Sequence, residues 1–320
     1  MDSEVSKDID LLLADGVEVT IIIDNYTDAL LADSTERFKR PPIVVNGQIV
    51  KAPLAEHGLC LLIKIFKGSE SHTILFDAGW SNIAVPYNLR LFGIDTSEIE
   101  AIVLSHGHMD HFGSLIEILK GIPRKTPLIA HPDAFLATRY LEFSDGVRGR
   151  FPFLDEESLM KAGAELVKTK YPLLLASGLM ASMGQVGRIT EFEKVMPNRY
   201  LERNGEVECD LILDDQGVLI NVKDRGLVVI SGCAHSGIIN TIHHAQKIAA
   251  TNKVHAVLGG FHLTGPFFEP IIGETIEALK KINPGIVVPM HCTGRKALNQ
   301  IAQEMPEQFV LSSVGTRFFF

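Results

Sequence analysis

The chain has 320 residues, of which 46% are hydrophobic and 22% are charged, and it carries a net charge of −9. This balance is ordinary for a globular protein, and the length suits one large domain or two smaller ones. The negative charge argues against a nucleic-acid-binding protein. No apolar run reaches the length of a membrane span. The acidic start is unlike a signal peptide.

The first predicted elements are strands. A β-branched run over 17–24 indicates a central strand, and the polar segment 25–51 indicates a loop. Residues 58–66 and 73–76 read as two strands joined by a turn. The second of them ends at Asp77, in an Asp-Ala-Gly sequence of the kind that favours a turn.

A dense cluster of metal-ligand side chains follows. Residues 101–104 read as a short buried strand, and 115–119 read as one face of a helix. The loop between them would therefore be held on a rigid scaffold, where site residues commonly lie. It contains the motif H-x-H-x-D-H, whose four candidate ligands are His106, His108, Asp110 and His111.

The spacing of this motif has a geometric reason. In an extended segment, residues two apart point to the same side. His106 and His108 can therefore bind one ion together. Asp110 and His111 come where the chain turns into the helix, so they can bind a second ion nearby.

The middle of the chain has a weaker pattern. From about 140 to 205 a helical patch, an apolar stretch and a polar tract alternate, which predicts an insertion. This insertion either folds over the site as a lid or pocket wall, or forms a surface subdomain without contact to substrate. Residues 211–220 then read as a hairpin with its turn near Gln216-Gly217.

Three strand ends in the second half carry a histidine. The predicted strands cover 227–230, 254–258 and 286–289, and the histidines that follow them are His235, His262 and His291. A single histidine of this kind would be a weak signal. Three of them, in a chain that already contains H-x-H-x-D-H, indicate one constellation of ligands.

A candidate anion site follows the last of these histidines. Thr293, Gly294 and Arg295 open a helix, whose first turn offers free backbone N–H groups and the positive end of the helix dipole. These three residues are therefore candidates for binding a substrate phosphate. The alternative is that the basic side chains are solvated.

The H-x-H-x-D-H motif resembles the signature of the metallo-β-lactamase superfamily. The resemblance implies an α/β fold, a four-layer αβ/βα sandwich with two mixed sheets, and a mono- or dinuclear site that usually holds zinc. It also implies that His106 and His108 bind one metal while Asp110 and His111 bind the other. Asp77 would support the metal loop by hydrogen bonding.

The family pattern requires further ligands. The resemblance assigns His235 to the first metal and His291 to the second. No aspartate stands at the usual bridging position, where Cys233 is close in sequence. A thiolate can bind zinc, so Cys233 is either a ligand or a packing neighbour of the site. His262 is either a ligand or a general acid that faces the substrate.

A closer resemblance is to one branch of the superfamily. Its G-C-x-H, G-G-F-H and H-C-T-G segments occur here at 232–235, 259–262 and 291–294. The branch includes proteins named dihydropterin ribofuranosyl-aminobenzene phosphate synthases, of the tetrahydromethanopterin pathway. Many other members are called only metal-dependent hydrolases.

We therefore expect one metallo-β-lactamase-like domain over 1–320, with an insertion at about 140–205. It would hydrolyse or transfer a group of a small, phosphorylated substrate, using one or two ions of Zn²⁺, with Mn²⁺ or Fe as alternatives. Asp110 and His262 would handle protons. The rival functions are pterin transfer by a synthase and a non-enzymatic ligand sensor.

The four cysteines form no C-x-x-C pair, which favours a reduced, cytoplasmic protein without a membrane partner. The sequence leaves the oligomeric state open.

Overall fold

The computed structural model describes residues 9–143 and 146–320. Its strands are, in chain order, β1 (Leu13–Ala14), β2 (Gly16–Ile23), β3 (Phe38–Lys39), β4 (Val44–Val45), β5 (Gln48–Ile49), β6 (Cys60–Lys67), β7 (Glu70–Phe76), β8 (Ile99–Val103), β9 (Thr126–Ala130), β10 (Arg139–Glu142), β11 (Arg148–Arg150), β12 (Ala164–Lys168), β13 (Leu173–Leu175), β14 (Met180–Ser182), β15 (Arg199–Arg203), β16 (Glu206–Cys209), β17 (Gly217–Val222), β18 (Gly226–Ser231), β19 (Val254–Gly260), β20 (Ile286–Met290) and β21 (Arg317–Phe319). Its α-helices are α1 (Ala84–Leu91), α2 (Leu115–Gly121), α3 (Glu156–Ala162), α4 (Ile238–Ile248), α5 (Ile272–Ile282) and α6 (Arg295–Glu304).

Two large mixed sheets organise these elements. The first has eight strands in the order β12-β9-β8-β7-β6-β2-β21-β3. The second has seven strands, with the order β13-β14-β17-β18-β19-β20 and β1 beside β17. In the first sheet β7, β8, β9 and β12 run parallel, and in the second β18, β19 and β20 run parallel.

The apolar side chains are divided among three cores, which define four layers. Leu61, Ile63 and Ile65 of β6 face the second sheet and pack against residues such as Val228 and Ile230. Leu62 lies on the opposite face, in a core that the first sheet shares with α1, α2 and α3. The second sheet packs its outer face against α4, α5 and α6. The period-2 alternation of strand side chains thus builds the αβ/βα sandwich, and the predicted fold class is confirmed.

The segment predicted as one insertion, at about 140–205, contributes to three sheets. Its strand β12 extends the first large sheet, and β13 and β14 extend the second. β10 and β11 pair with β15 and β16 in a separate four-stranded sheet, which we call the accessory sheet.

The hairpin predicted over 211–220 is wrong in its first half. Only 217–222 forms a strand, β17. Asp214, Asp215 and Gln216 form a buried loop before it, and each is at most 2% exposed. Their side chains form hydrogen bonds with backbone groups of neighbouring segments, and these bonds offset the cost of burial. The side chains of a solvent-facing turn would bond to water instead.

The strand ends place the candidate ligands at one edge of the sandwich. Asp77 follows β7, and the H-x-H-x-D-H loop follows the parallel neighbour β8. Cys233, His262 and His291 follow the parallel strands β18, β19 and β20. Parallel strands bring their carboxyl ends to the same edge of a sheet, which is the usual place of a ligand site in α/β proteins.

Within residues 9–143 and 146–320, the helices are all too short or too polar to cross a membrane.

Gly113 is required by close packing, and this gives a stability prediction. A β-carbon at Gly113 would overlap the carbonyl oxygen of Trp80, whereas at Gly121 its nearest neighbour would be 3.7 Å away. We expect Gly113→Ala to destabilise the fold by about 1–3 kcal/mol because overpacking displaces the backbone. Gly121→Ala is the matched control and should be neutral. Urea unfolding midpoints measure both, and equal midpoints would contradict the prediction.

Candidate metal centre

Three imidazole nitrogens converge at the end of β8. His106 Nε2 and His108 Nδ1 lie 2.9 Å apart, and His235 Nε2 lies 3.2 Å from the first and 3.1 Å from the second. All three residues are buried. Zinc ligands at 2.0–2.1 Å in a tetrahedral arrangement lie about 3.3 Å from one another. The spacing of this set, the first cluster, therefore fits a divalent ion.

A second cluster lies beside the first. It consists of Asp110, His111, Cys233 and His291, whose ligand atoms lie within 4.8 Å of one another. Asp110 Oδ2 is 3.2 Å from His291 Nε2 and 3.7 Å from His111 Nε2. His111 Nε2 is 3.2 Å from Cys233 Sγ. Imidazole, carboxylate and a cysteine sulfur together form a donor set that suits zinc. Burial raises the pKa of the Cys233 thiol, so an ion would have to displace its proton.

Cys233 is common to several ligand groups. Its sulfur lies within 4.8 Å of ligand atoms of His106 and His235, and it also belongs to the second cluster. A third group joins it with His262 and Cys292. A thiol thus stands between the two clusters.

Asp77 supports the metal loop from the end of β7. Its Oδ1 accepts a hydrogen bond from the Ser105 amide at 2.7 Å, and its Oδ2 accepts one from the Ser105 hydroxyl at 2.8 Å. His111 Nδ1 is 2.6 Å from the same Oδ2. A histidine that donates from Nδ1 to a carboxylate leaves its Nε2 lone pair free for a metal. Asp77 therefore fixes the orientation of His111, and it selects the tautomer with a free Nε2 once the ring has lost its second proton.

Arg139 and Asp214 hold the same loop from another side, and the sequence analysis missed both. Asp214 accepts the Gly107 amide at 2.8 Å and forms a two-fold ion pair with Arg139 at 2.8 and 2.5 Å. Arg139 Nε also lies 3.1 Å from Asp210 Oδ2. The signal in the sequence was the Asp-Asp-Gln run between two apolar segments, which also fits a solvated turn.

His291 is oriented by residues at the end of β2. Its amide donates to Asp24 Oδ1 at 2.8 Å, and its Nδ1 lies 3.3 Å from Asn25 Oδ1. Its backbone φ is +51°, a strained conformation for a residue with a side chain. The contacts of Asp24 and Asn25 hold this conformation in place. The sequence analysis gave neither of them a role.

Two further histidines border the clusters. His57 Nε2 lies 3.7 Å from Asp110 Oδ2, and 57% of its side chain is exposed. His57 therefore lies at the rim of the candidate centre. Its sequence neighbours do not indicate this position. His262 packs its ring 4.2 Å from that of His235, and its buried Nδ1 has no partner among the described residues.

The predicted substrate-binding residues lie at different depths. Arg295 is exposed at the start of α6, and Gly294 is the residue before that helix. Thr293 is fully buried. Its hydroxyl donates to the carbonyl of Met290 at 2.7 Å and accepts the amide of Phe261 at 3.0 Å. These bonds use the one hydroxyl proton of Thr293 inside the protein, which leaves no donor for a substrate.

Burial and neighbouring charges set the protonation of the ligands. Burial lowers the pKa of His106, His108 and His235, which keeps these rings neutral, as a metal requires. Burial alone would raise the pKa of Asp110, but His111 and His291 outweigh it and hold that carboxyl below its usual pKa. Burial also opposes the charged form of His111, yet Asp77 and Asp110 raise its pKa to about 9.

The raised pKa of His111 predicts how metal binding depends on pH. Below a pKa of about 9 the ring is protonated, so an ion must displace a proton from Nε2. Affinity of the second cluster for Zn²⁺ should therefore rise as the pH rises and level off near pH 9. Zn²⁺ titration against a competing chelator at several pH values measures this dependence. Asp77→Asn should make the affinity level off at a lower pH, because it removes the charge that raises this pKa. A pH-independent affinity in the wild type would contradict the prediction.

A second prediction concerns the first cluster. His108→Ala should lose at least one bound ion while the fold stays intact, because His108 lies on a loop and contributes no part of the three apolar cores. Elemental analysis and far-UV circular dichroism measure the two effects. His72→Ala is the control, since His72 pairs with Glu100 on the first sheet. Full metal occupancy in the His108 variant would rule out its role as a ligand.

Comparisons with known proteins agree with this geometry. The sequence profile described as the metallo-beta-lactamase superfamily matches residues 55–178. The 7,8-dihydropterin-6-methyl-4-(β-D-ribofuranosyl)-aminobenzene-5'-phosphate synthase of Methanocaldococcus jannaschii is 34% identical over 261 residues, or 80% of this chain and 87% of the relative. An uncharacterised protein of the same organism is 32% identical over 85% of this chain and 97% of its own length.

Similar structures have also been solved. A metal-dependent hydrolase of the β-lactamase superfamily matches with a TM-score of 0.69 and 25% identity, over 94% of this chain and 98% of the hydrolase. The two sequence relatives each cover at least 80% of this chain, and the matches span at least 87% of their own lengths. The chain therefore belongs to the metallo-β-lactamase superfamily, whose members bind divalent metal ions.

Proposed function

We propose that this protein is a metal-dependent enzyme that hydrolyses a small, phosphorylated substrate or transfers a group of it. The observation that carries this proposal is the convergence of three neutral imidazole nitrogens at 2.9–3.2 Å, directly beside a cluster that contains Asp110. Divalent ions, with Zn²⁺ favoured by the donors and Mn²⁺ or Fe as alternatives, supply hydroxide at neutral pH and polarise a carbonyl or phosphoryl oxygen.

In this proposal each ligand has a defined place. His106, His108 and His235 hold the first ion. Asp110, His111 and His291 hold the second, and Cys233 lies between them.

Asp110 and His262 are the proposed proton-handling residues. The Asp110 side chain keeps 14% exposure, so a substrate can reach it, and its Oδ2 lies 3.7 Å from the exposed ring of His57. His262 faces the first cluster and has a buried Nδ1 without a partner among the described residues, which suits a group that bonds to substrate.

A synthase reaction is the second candidate. It is supported by the 34% identity to the Methanocaldococcus synthase, whose name describes a product that joins a dihydropterin to a phosphorylated ribofuranosyl-aminobenzene. In that case the chain would be a transferase that acts on a pterin diphosphate. Arg295 and the amides after Gly294 would bind one of the anionic groups, since they open α6 next to His291.

Turnover measurements test the proposal and separate its alternatives. Metal-loaded protein would be assayed with a phosphodiester, a lactone, and a dihydropterin diphosphate together with an aminobenzene acceptor. We expect turnover of at least one phosphorylated substrate. Asp110→Asn should reduce it by about 100-fold or more, because it removes a charged ligand and a proton carrier. Lys161→Gln, a change on an exposed helix surface, is the control.

The outcome identifies the class of function. Hydrolysis of the diester or lactone supports a hydrolase, and joining of the two pterin-pathway substrates supports a transferase. No turnover above that of metal-free protein would overturn the enzymatic proposal and leave a ligand sensor on the same fold.

A further inference from the structure

The accessory sheet presents one defined face to the metal centre. β10 pairs antiparallel with β15, with Arg139 opposite Leu201 and Leu141 opposite Arg199. Residues directly opposite each other in an antiparallel pair project to the same face, as do residues two apart along a strand. Arg139 and Arg199 therefore share one face. Tyr140 and its neighbour on β15 stack on the other face, with ring centroids 5.5 Å apart.

Contacts of this face show where it points. Arg139 binds Asp214, which also accepts the amide of Gly107 in the metal loop. Phe151 follows β11, donates its amide to the carbonyl of Arg139, and stacks its ring on that of His108 at 5.1 Å and 22°. Arg199 thus lies on the face of the accessory sheet that covers the first cluster.

The two arginines on this face differ in their partners. Two hydrogen bonds to Asp214 and an ion-pair contact of Nε with Asp210 at 3.1 Å neutralise Arg139. Arg199 Nε donates to the sulfur of Met196 at 3.1 Å, and sulfur is a weak acceptor. Among the described residues no carboxylate lies within ion-pair distance of Arg199, and its two terminal amino groups make no hydrogen bond in that part of the chain.

The environment of Arg199 is that of a site residue. The side chain is only partly exposed, and its guanidinium lies 5.9 Å from the centre of the Phe151 ring. Burial lowers the pKa of Arg199, and the nearby Cys233, Asp210 and Asp110 oppose that effect. Arginine keeps its charge in proteins, so a half-buried cation with free donors stands beside the ligand clusters.

We propose that Arg199 binds the phosphoryl oxygens of a phosphate or diphosphate group on the substrate, next to the metal centre. A guanidinium presents parallel N–H groups that match two oxygens of one phosphate, and such charged hydrogen bonds are strong when partly desolvated. The accessory sheet is then a part of the substrate site. This inference rests on the proposed function and adds a specificity residue that the H-x-H-x-D-H motif does not contain.

Direct anion binding tests this role independently of turnover. Calorimetric titration of metal-loaded protein with inorganic phosphate and with pyrophosphate would compare the wild type with Arg199→Gln and Arg199→Lys. We expect Arg199→Gln to bind pyrophosphate about tenfold more weakly, which is the effect of losing one or two charged hydrogen bonds. Arg199→Lys should lie between the two, because lysine keeps the charge and loses the two-pronged geometry.

The matched control is Arg150→Gln. Arg150 lies opposite Tyr140 on the other face of the same sheet, so its loss removes equal charge without touching the metal centre. It should bind pyrophosphate as the wild type does. Metal content, measured in parallel, should be the same in all variants.

Unchanged pyrophosphate affinity in Arg199→Gln at full metal occupancy, or an equal loss in Arg150→Gln, would overturn the role of Arg199. A wild type that binds neither anion would do so as well. Failure of the enzymatic proposal would give another pattern of results. Pyrophosphate affinity would still fall in the Arg199 variants, but no substrate would be turned over. For a true substrate, KM for a phosphorylated compound should rise in Arg199→Gln, and KM for an uncharged lactone should not change.

Discussion

The carboxylate of Asp77 ties the end of β7 to the loop that follows β8. It accepts the amide and the hydroxyl of Ser105, and it lies 2.6 Å from His111 Nδ1. A fully buried carboxylate is costly unless its oxygens are bonded, so the metal loop can adopt only conformations that satisfy Asp77. The Ser105 hydroxyl in turn lies 2.9 Å from His106 Nδ1. One anion thereby orients a ligand of each cluster.

Other buried aspartates around the candidate centre also accept hydrogen bonds from loop backbone amides. Asp24, Asp214 and Asp215 are each at most 2% exposed. They accept the backbone amides of His291, Gly107 and Ser236, respectively. Each carboxylate therefore fixes a loop that carries or adjoins a candidate ligand. Because these bonds do not involve an ion, the loops are held in place before any ion binds.

The thiol between the clusters distinguishes this centre chemically. Cys233 stands near His106 and His235 on one side and near His111 on the other. A sulfur donor in that place favours a softer ion than an all-oxygen bridge would. The accessory sheet adds a second distinguishing feature, since Phe151 covers His108 and Arg199 brings an unpaired cation to the same side.

The sequence by itself determined the strands that precede the candidate ligands, and it named most of the residues that the structure brings together. The H-x-H-x-D-H spacing is local, so alternation along one extended segment was enough to separate His106 and His108 from the next pair. His235, His262 and His291 could be found because each follows a β-branched strand.

Only the tertiary structure decided what holds and covers those ligands. Gly107 and Asp214 are 107 residues apart, and Asp24 and His291 are 267 apart. A buried aspartate and a solvated turn aspartate look the same in a sequence, because burial and partners come from the packing of distant segments and not from local periodicity. The accessory sheet was hidden for the same reason. Its strands are short and their pairing is long-range, so only the register of Leu141 with Arg199 places Arg199 on the face that contacts the candidate metal loop.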